Sequence, residues 1–154
     1  MRLLFLLSVI SILVSSCGKE ESQAESQAEI NARNDQEIAT YIADNNITGT
    51  IETESGLVVK IDEEGSADKP TLSSMVSVTY DGTLIDGSRF DGTNTPVTFP
   101  LTGVIIGWQE GIPYFGKGGN GTLFIPSRLA YGNRDTGSIP AGSVLIFDVE
   151  VVDF

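Results

Sequence analysis

The chain has 154 residues, enough for one ordinary domain and some extra length. Its 40% apolar and 19% charged composition is globular, and its net charge of −12 repels phosphate backbones, so no nucleic-acid partner is expected. The absence of histidine excludes imidazole catalysis and imidazole metal sites, and a single cysteine excludes an intrachain disulfide.

Met1-Arg2 precedes an apolar run over residues 3–14 interrupted only by Ser8 and Ser11, then Ser15-Ser16-Cys17. A basic start, a short apolar stretch and small residues read as a secretory signal peptide over residues 1–16. The run is shorter than the roughly 20 residues a spanning helix needs. Val14-Ser15-Ser16-Cys17 resembles the bacterial lipobox, with valine where leucine is commoner. The resemblance implies that Cys17 carries the lipid (diacylglyceryl and further acyl chains such as palmitate) that anchors the chain to a membrane. Gly18 is not the aspartate of an inner-membrane retention signal, which favours the outer membrane of a bacterial envelope. Gly18-Lys19-Glu20-Glu21 reads either as a short surface-export tag or as a solvated charged tether.

Glu21-Ser22-Gln23-Ala24 repeats as Glu25-Ser26-Gln27-Ala28, with no large apolar residue. Residues 17–28 are therefore expected to be a lipidated cysteine and flexible tether. Over residues 29–49 an N-terminal helical arm is expected, with Ile30, Ile38, Tyr41 and Ile42 at helical spacing. Asn34-Asp35-Gln36-Glu37 offers a cap and acidic first turn, and Asn45-Asn46 a stop. The narrow apolar face could dock on the domain, mediate dimerisation, or leave the helix as an independent arm.

Residues 50–61 read as one strand and 63–70 as a long turn. Val76, Val78 and Tyr80 alternate with Ser77 and Thr79 before Asp81-Gly82 ends the run. Further strands are expected at residues 97–99, 122–125 and 144–151. One short helix is expected near residues 106–112. This pattern predicts an α+β fold, an antiparallel sheet wrapped around one short helix and preceded by the N-terminal helix and tether.

Four blocks, taken in order, carry a family resemblance. They are Val78-Thr79-Tyr80-Asp81-Gly82 with the following residues to Phe90-Asp91, and Val104-Ile105-Ile106-Gly107-Trp108-Gln109-Glu110-Gly111. Ile125-Pro126-Ser127-Arg128-Leu129-Ala130-Tyr131-Gly132 and Ile139-Pro140-Ala141-Gly142-Ser143-Val144-Leu145-Ile146-Phe147-Asp148-Val149-Glu150 complete the set. Together they resemble the FKBP-type peptidyl-prolyl cis-trans isomerases, over residues 50–154 as the domain.

The resemblance implies an enzyme that rotates X–Pro peptide bonds in exported or envelope polypeptides. That rotation is opposed by an amide barrier of about 18–20 kcal/mol and takes tens to hundreds of seconds uncatalysed. No bond is made or broken, so no nucleophile, metal or cofactor is expected. A dry apolar pocket favours the twisted amide, which has lost charge separation.

By the same resemblance Trp108 is the floor under the proline ring, and Tyr80, Phe90, Val104, Ile105 and Phe147 are walls, with Ile139 reaching over from its loop. The Ile105 N–H and the Tyr131 hydroxyl would donate to carbonyls of the bound peptide. Asp91 would be the charged group at the rim, acting on the twisting amide or orienting neighbours. Phe99 and Phe124 match no ligand-contacting position and are expected in the core.

The rim departs from the family pattern. Residues 92–95 are short and lack an arginine partner for Asp91, Val97 stands for an aromatic and Leu129 for a tyrosine. Residues 133–138 carry no histidine and few apolar groups. Proline-containing clients and rapamycin- or tacrolimus-like macrolides are the implied partners. The competing reading is a binding module that captures proline-containing segments without turning them over.

Overall fold

In a computed structural model of the chain, residues 25–154 are described. The signal peptide, Cys17 and Lys19-Glu20-Glu21 lie outside the described residues. Ser26 opens the first helix, α1 (Gln27–Asp44), through a capping box in which its side chain accepts from the Glu29 N–H and the Glu29 carboxylate answers the Ser26 N–H. The second copy of the repeat is thus cap and first turn rather than tether. Asn34, expected as the cap, lies in the middle of the helix and is fully buried. The stop falls where expected: Asn45 caps, its side chain donating to the Tyr41 carbonyl, and Asn46 takes a left-handed φ of 52°.

Six antiparallel strands follow: β1 (Thr50–Glu52), β2 (Val58–Glu63), β3 (Met75–Leu84), β4 (Arg89–Pro100), β5 (Asn120–Ile125) and β6 (Leu145–Asp153). Their order in the sheet is β1-β2-β5-β6-β3-β4. The single strand expected over residues 50–61 is a hairpin instead. Its turn is closed by the Thr53 N–H on the Leu57 carbonyl and the Gly56 N–H on the Thr53 carbonyl. β4 is longer than the three residues expected, and its register against β3 shifts between Val78 and Tyr80. The shift accommodates Pro96 on an edge strand, where its missing N–H breaks no ladder.

A short helix, α2 (Ile106–Gly111), crosses the inner face of the sheet. Gly107 and Gly111 let it lie against β5: a Cβ at Gly107 would fall 2.5 Å from Ile125 and one at Gly111 2.7 Å from Leu123. The two-residue period of strands then divides the apolar residues between two layers. Leu123 and Ile125 of β5, with Leu145, Phe147, Val149 and Val151 of β6, join Trp108 and Ile112 in the inner core. Phe124 and Ile146 point the other way and meet Ile38, Val58 and Val144.

That second cluster settles where α1 sits. Ile30 and Ile38 are each 2% exposed, and Phe124 packs its ring 5.9 Å from that of Tyr41. Each such side chain contributes about 1.5–3 kcal/mol relative to leaving it exposed. The helix is therefore docked on the outer face of the sheet, the first of the arrangements the sequence left open. No helix among the described residues is long and apolar enough to cross a membrane.

Candidate active site

A cavity of about 520 Å³ opens beside α2, within the range typical of small-ligand sites. Trp108, 3% exposed, lies at its base and is met edge-on by Tyr80 at 5.1 Å, Phe147 at 5.3 Å and Phe99 at 6.2 Å between ring centroids. T-shaped pairs of this kind add about 0.5–1.5 kcal/mol each beyond their buried area. Gly103, Val104, Ile105, Ala130, Tyr131 and Asp91 complete the lining. A second cleft of about 330 Å³ is rimmed by Asp62, Asp81, Asp148 and Glu150; Tyr80 is the one aromatic in its lining, too little to enclose an apolar ring.

Seven of the nine expected pocket residues line this cavity: Tyr80, Asp91, Val104, Ile105, Trp108, Tyr131 and Phe147. Phe90 stands one layer back, packing edge-on against Phe147 at 5.3 Å, and so braces the wall. Ile139 is 7% exposed and belongs to the inner core; it does not line the cavity. Phe99, expected in the core, is a wall residue, whereas Phe124 is core as expected. The alternation Val97, Phe99 against exposed Thr98 and Pro100 on β4 carried the signal for Phe99.

The polar groups are held from behind. The Val104 carbonyl accepts from the Gln109 side chain at 2.8 Å. This bond fixes the Val104–Ile105 peptide plane from the helix side, so the trans geometry turns the Ile105 N–H away from Gln109. That N–H has no acceptor among the described residues, and neither has the buried indole N–H of Trp108. Tyr131 is 39% exposed, and its hydroxyl has no partner among the described residues.

Asp91 is exposed, as alternation from Phe90 suggests, yet its carboxylate is engaged at both oxygens. Oδ2 accepts from the Tyr80 hydroxyl at 2.8 Å, and Oδ1 from the Gly92 N–H at 2.8 Å. The aspartate thus orients Tyr80 across the floor. Arg89 packs over Gly92 and pairs with Asp81, leaving Asp91 without a salt bridge among the described residues.

Burial, reinforced by the hydrogen bond to Asp91 and its negative charge, pushes the Tyr80 hydroxyl up to about 12. Its folded-state value lies above the ordinary 10, so its contribution to stability is fully present below about pH 10 and lost as pH rises through about 12. A phenolate absorbance titration should find Tyr80 ionising well above pH 10. Asp91→Asn should lower its midpoint part of the way toward 10, because burial remains. Tyr80 ionising at the ordinary value in the wild type, or failing to respond to Asp91→Asn, would contradict this coupling.

The comparisons with known proteins agree with this geometry. The family profile described as FKBP-type peptidyl-prolyl cis-trans isomerase matches residues 66–152. The FKBP-type peptidyl-prolyl cis-trans isomerase FkpA of Aeromonas hydrophila is 46% identical over 107 residues, covering 68% of this chain and 40% of that protein. FkpA of Escherichia coli K12 is 45% identical over 108 residues, with the same coverage. The chain therefore spans about two fifths of the length of these curated relatives. The crystal structure of Escherichia coli FkpA superposes with a TM-score of 0.72 at 38% identity, covering 82% of this chain and 62% of that one. A peptidyl-prolyl cis-trans isomerase from Pseudomonas syringae gives 0.70 at 28% identity, covering 84% and 96%.

Proposed function

Because this chain belongs to the FKBP-type peptidyl-prolyl cis-trans isomerase family, we propose that it catalyses rotation about X–Pro bonds in exported or envelope polypeptides. The observation that carries this reading is the Trp108 floor enclosed by Tyr80, Phe99 and Phe147, a site shaped for an apolar ring. A proline seated there leaves water, and with it the hydration that favours the planar, charge-separated amide. The Ile105 N–H and the Tyr131 hydroxyl, both without acceptors among the described residues, are the donors for the client's carbonyls. Each 1.4 kcal/mol by which the site prefers the twisted over the planar amide gives about tenfold in rate.

A protease-coupled prolyl-peptide assay on residues 18–154 tests the reading. Conversion of the cis fraction faster than the uncatalysed rate is expected; conversion at that rate alone leaves only the binding module. Rapamycin- or tacrolimus-like macrolides fit the same cavity, with the reduced rim weakening their grip, and they should compete with the peptide.

Anchoring through Cys17 to the outer membrane is part of the same proposal and rests on the lipobox resemblance. One acyl chain gives marginal attachment, whereas several, at about 0.8 kcal/mol per buried CH₂, hold firmly. Cys17→Ser should abolish incorporation of labelled lipid and move the protein out of the membrane fraction. Unchanged fractionation and labelling would remove the anchor from the account.

A further inference from the structure

Asn34 is fully buried in the middle of α1, on a helix that the isomerase chemistry does not use. A buried amide must find partners for both its ends. Its Oδ1 accepts from the Ser127 N–H at 2.9 Å and from the Ser127 hydroxyl at 2.6 Å. Its Nδ2 donates to the Gly142 carbonyl at 2.9 Å and to the Glu37 carboxylate at 3.2 Å. Two donors on one side and a carbonyl on the other admit one orientation of the amide.

The backbone closes these contacts into a ring. The Gly142 N–H donates to the Gly132 carbonyl at 2.9 Å, and the Gly132 N–H donates to the Ser127 carbonyl at 2.8 Å. The same Ser127 carbonyl accepts from the Ala130 N–H at 2.9 Å. Tyr131 is thus flanked on both sides by residues tied to Ser127, and Ser127 is tied to Asn34. The Tyr131 side chain makes no hydrogen bond among the described residues, so what holds this residue in place is the backbone on either side of it. Arg33 adds a bond to the Gly142 carbonyl, and Arg128 pairs with Asp35, but both side chains are partly solvated.

We propose that Asn34 is a positioning residue for the isomerase: it fixes the Ser127–Gly132–Gly142 frame that aims the Tyr131 hydroxyl into the cavity. The docked helix is on this account a component of the active site, reaching it through one buried amide. The proposal rests on the isomerase reading for its kinetic consequences and on the hydrogen-bond ring alone for its structural ones.

Asn34→Asp keeps the size of the side chain and an acceptor for Ser127, while placing an oxygen against the Gly142 carbonyl and the Glu37 carboxylate. Ile38→Ala, one turn further along the same helix, loosens its packing without touching the ring. For Asn34→Asp, amide hydrogen exchange at Gly132 and Gly142 should accelerate about tenfold or more, while Ile38→Ala speeds exchange within α1 first. With a prolyl tetrapeptide, Asn34→Asp should lower kcat about tenfold with KM within about twofold. In a Tyr131→Phe background the same change should cost less than about twofold, because its effect runs through that hydroxyl.

Ile38→Ala should lower the melting temperature and leave kcat near wild type. Equal kcat losses in the two variants, or the full tenfold loss repeated in the Tyr131→Phe background, would overturn the proposal. If the wild type shows no turnover, the isomerase reading fails and hydrogen exchange decides alone. Accelerated exchange at Gly132 then sustains the frame, and unchanged exchange overturns it.

Discussion

Phe147→Ala is expected to lower kcat/KM toward a prolyl peptide about 100-fold, a loss of roughly 2.7 kcal/mol of transition-state stabilisation. Phe147 is 5% exposed and touches three aromatic partners at once: Trp108, Tyr80 and Phe90. Truncation removes one wall, frees the edge of Trp108 and lets water reach the amide, so the polar planar ground state is no longer disfavoured. The same truncation should cost about 3–5 kcal/mol of stability, so turnover must be measured well below the melting temperature of the variant. Phe90→Ala, one layer further back, should produce a smaller kinetic loss, because Phe147 still separates the cavity from the gap. Equal activity of wild type and Phe147→Ala in folded samples would mean that the chemistry lies elsewhere.

Phe124→Ala is the change with the largest expected effect on the helix. The ring is 1% exposed, wedged between the sheet and α1, and shares its cluster with Ile38, Val58, Val144 and Ile146. Its removal should cost about 3–5 kcal/mol and fall on the docking of α1, while the inner core keeps Leu123 and Ile125 on the other side of the strand. The measurable signs are a lower melting temperature and loss of amide protection in α1 ahead of β6. Persisting protection throughout α1 in this variant would show that the helix holds itself, which an isolated 18-residue helix with a polar outer face does only marginally.

What the sequence revealed and what it hid divide along contact range. The alternation in β3, β5 and β6 is local, and so is the switch from Leu123 and Ile125 on one face to Phe124 on the other; a period of two is enough to read them. That Trp108, Ile105 and Tyr131 share one cavity was legible because the four motifs follow one another in a fixed order. Asn34 reads as a cap from sequence because Asn-Asp-Gln-Glu has the composition of a helix start. The partners that explain its amide, Ser127 and Gly142, lie about a hundred residues away along the chain. For Phe99 the alternation shows which residues share its face, but that this face meets Trp108 belongs to the pairing of β4 with β3 and lies beyond any local pattern. The Thr53–Gly56 turn is hidden in the sequence because apolar residues on both sides of Ser55-Gly56 continue the look of one strand.

The sole tryptophan permits occupancy and turnover to be followed in one sample. A prolyl peptide is titrated into residues 18–154 while Trp108 fluorescence is recorded, and cis–trans exchange of the same peptide is measured by exchange NMR at each concentration. The account predicts a saturable fluorescence change at Trp108 and exchange far above the uncatalysed tens to hundreds of seconds, both lost together when a macrolide fills the cavity. Saturable binding at Trp108 with exchange at the uncatalysed rate would contradict it.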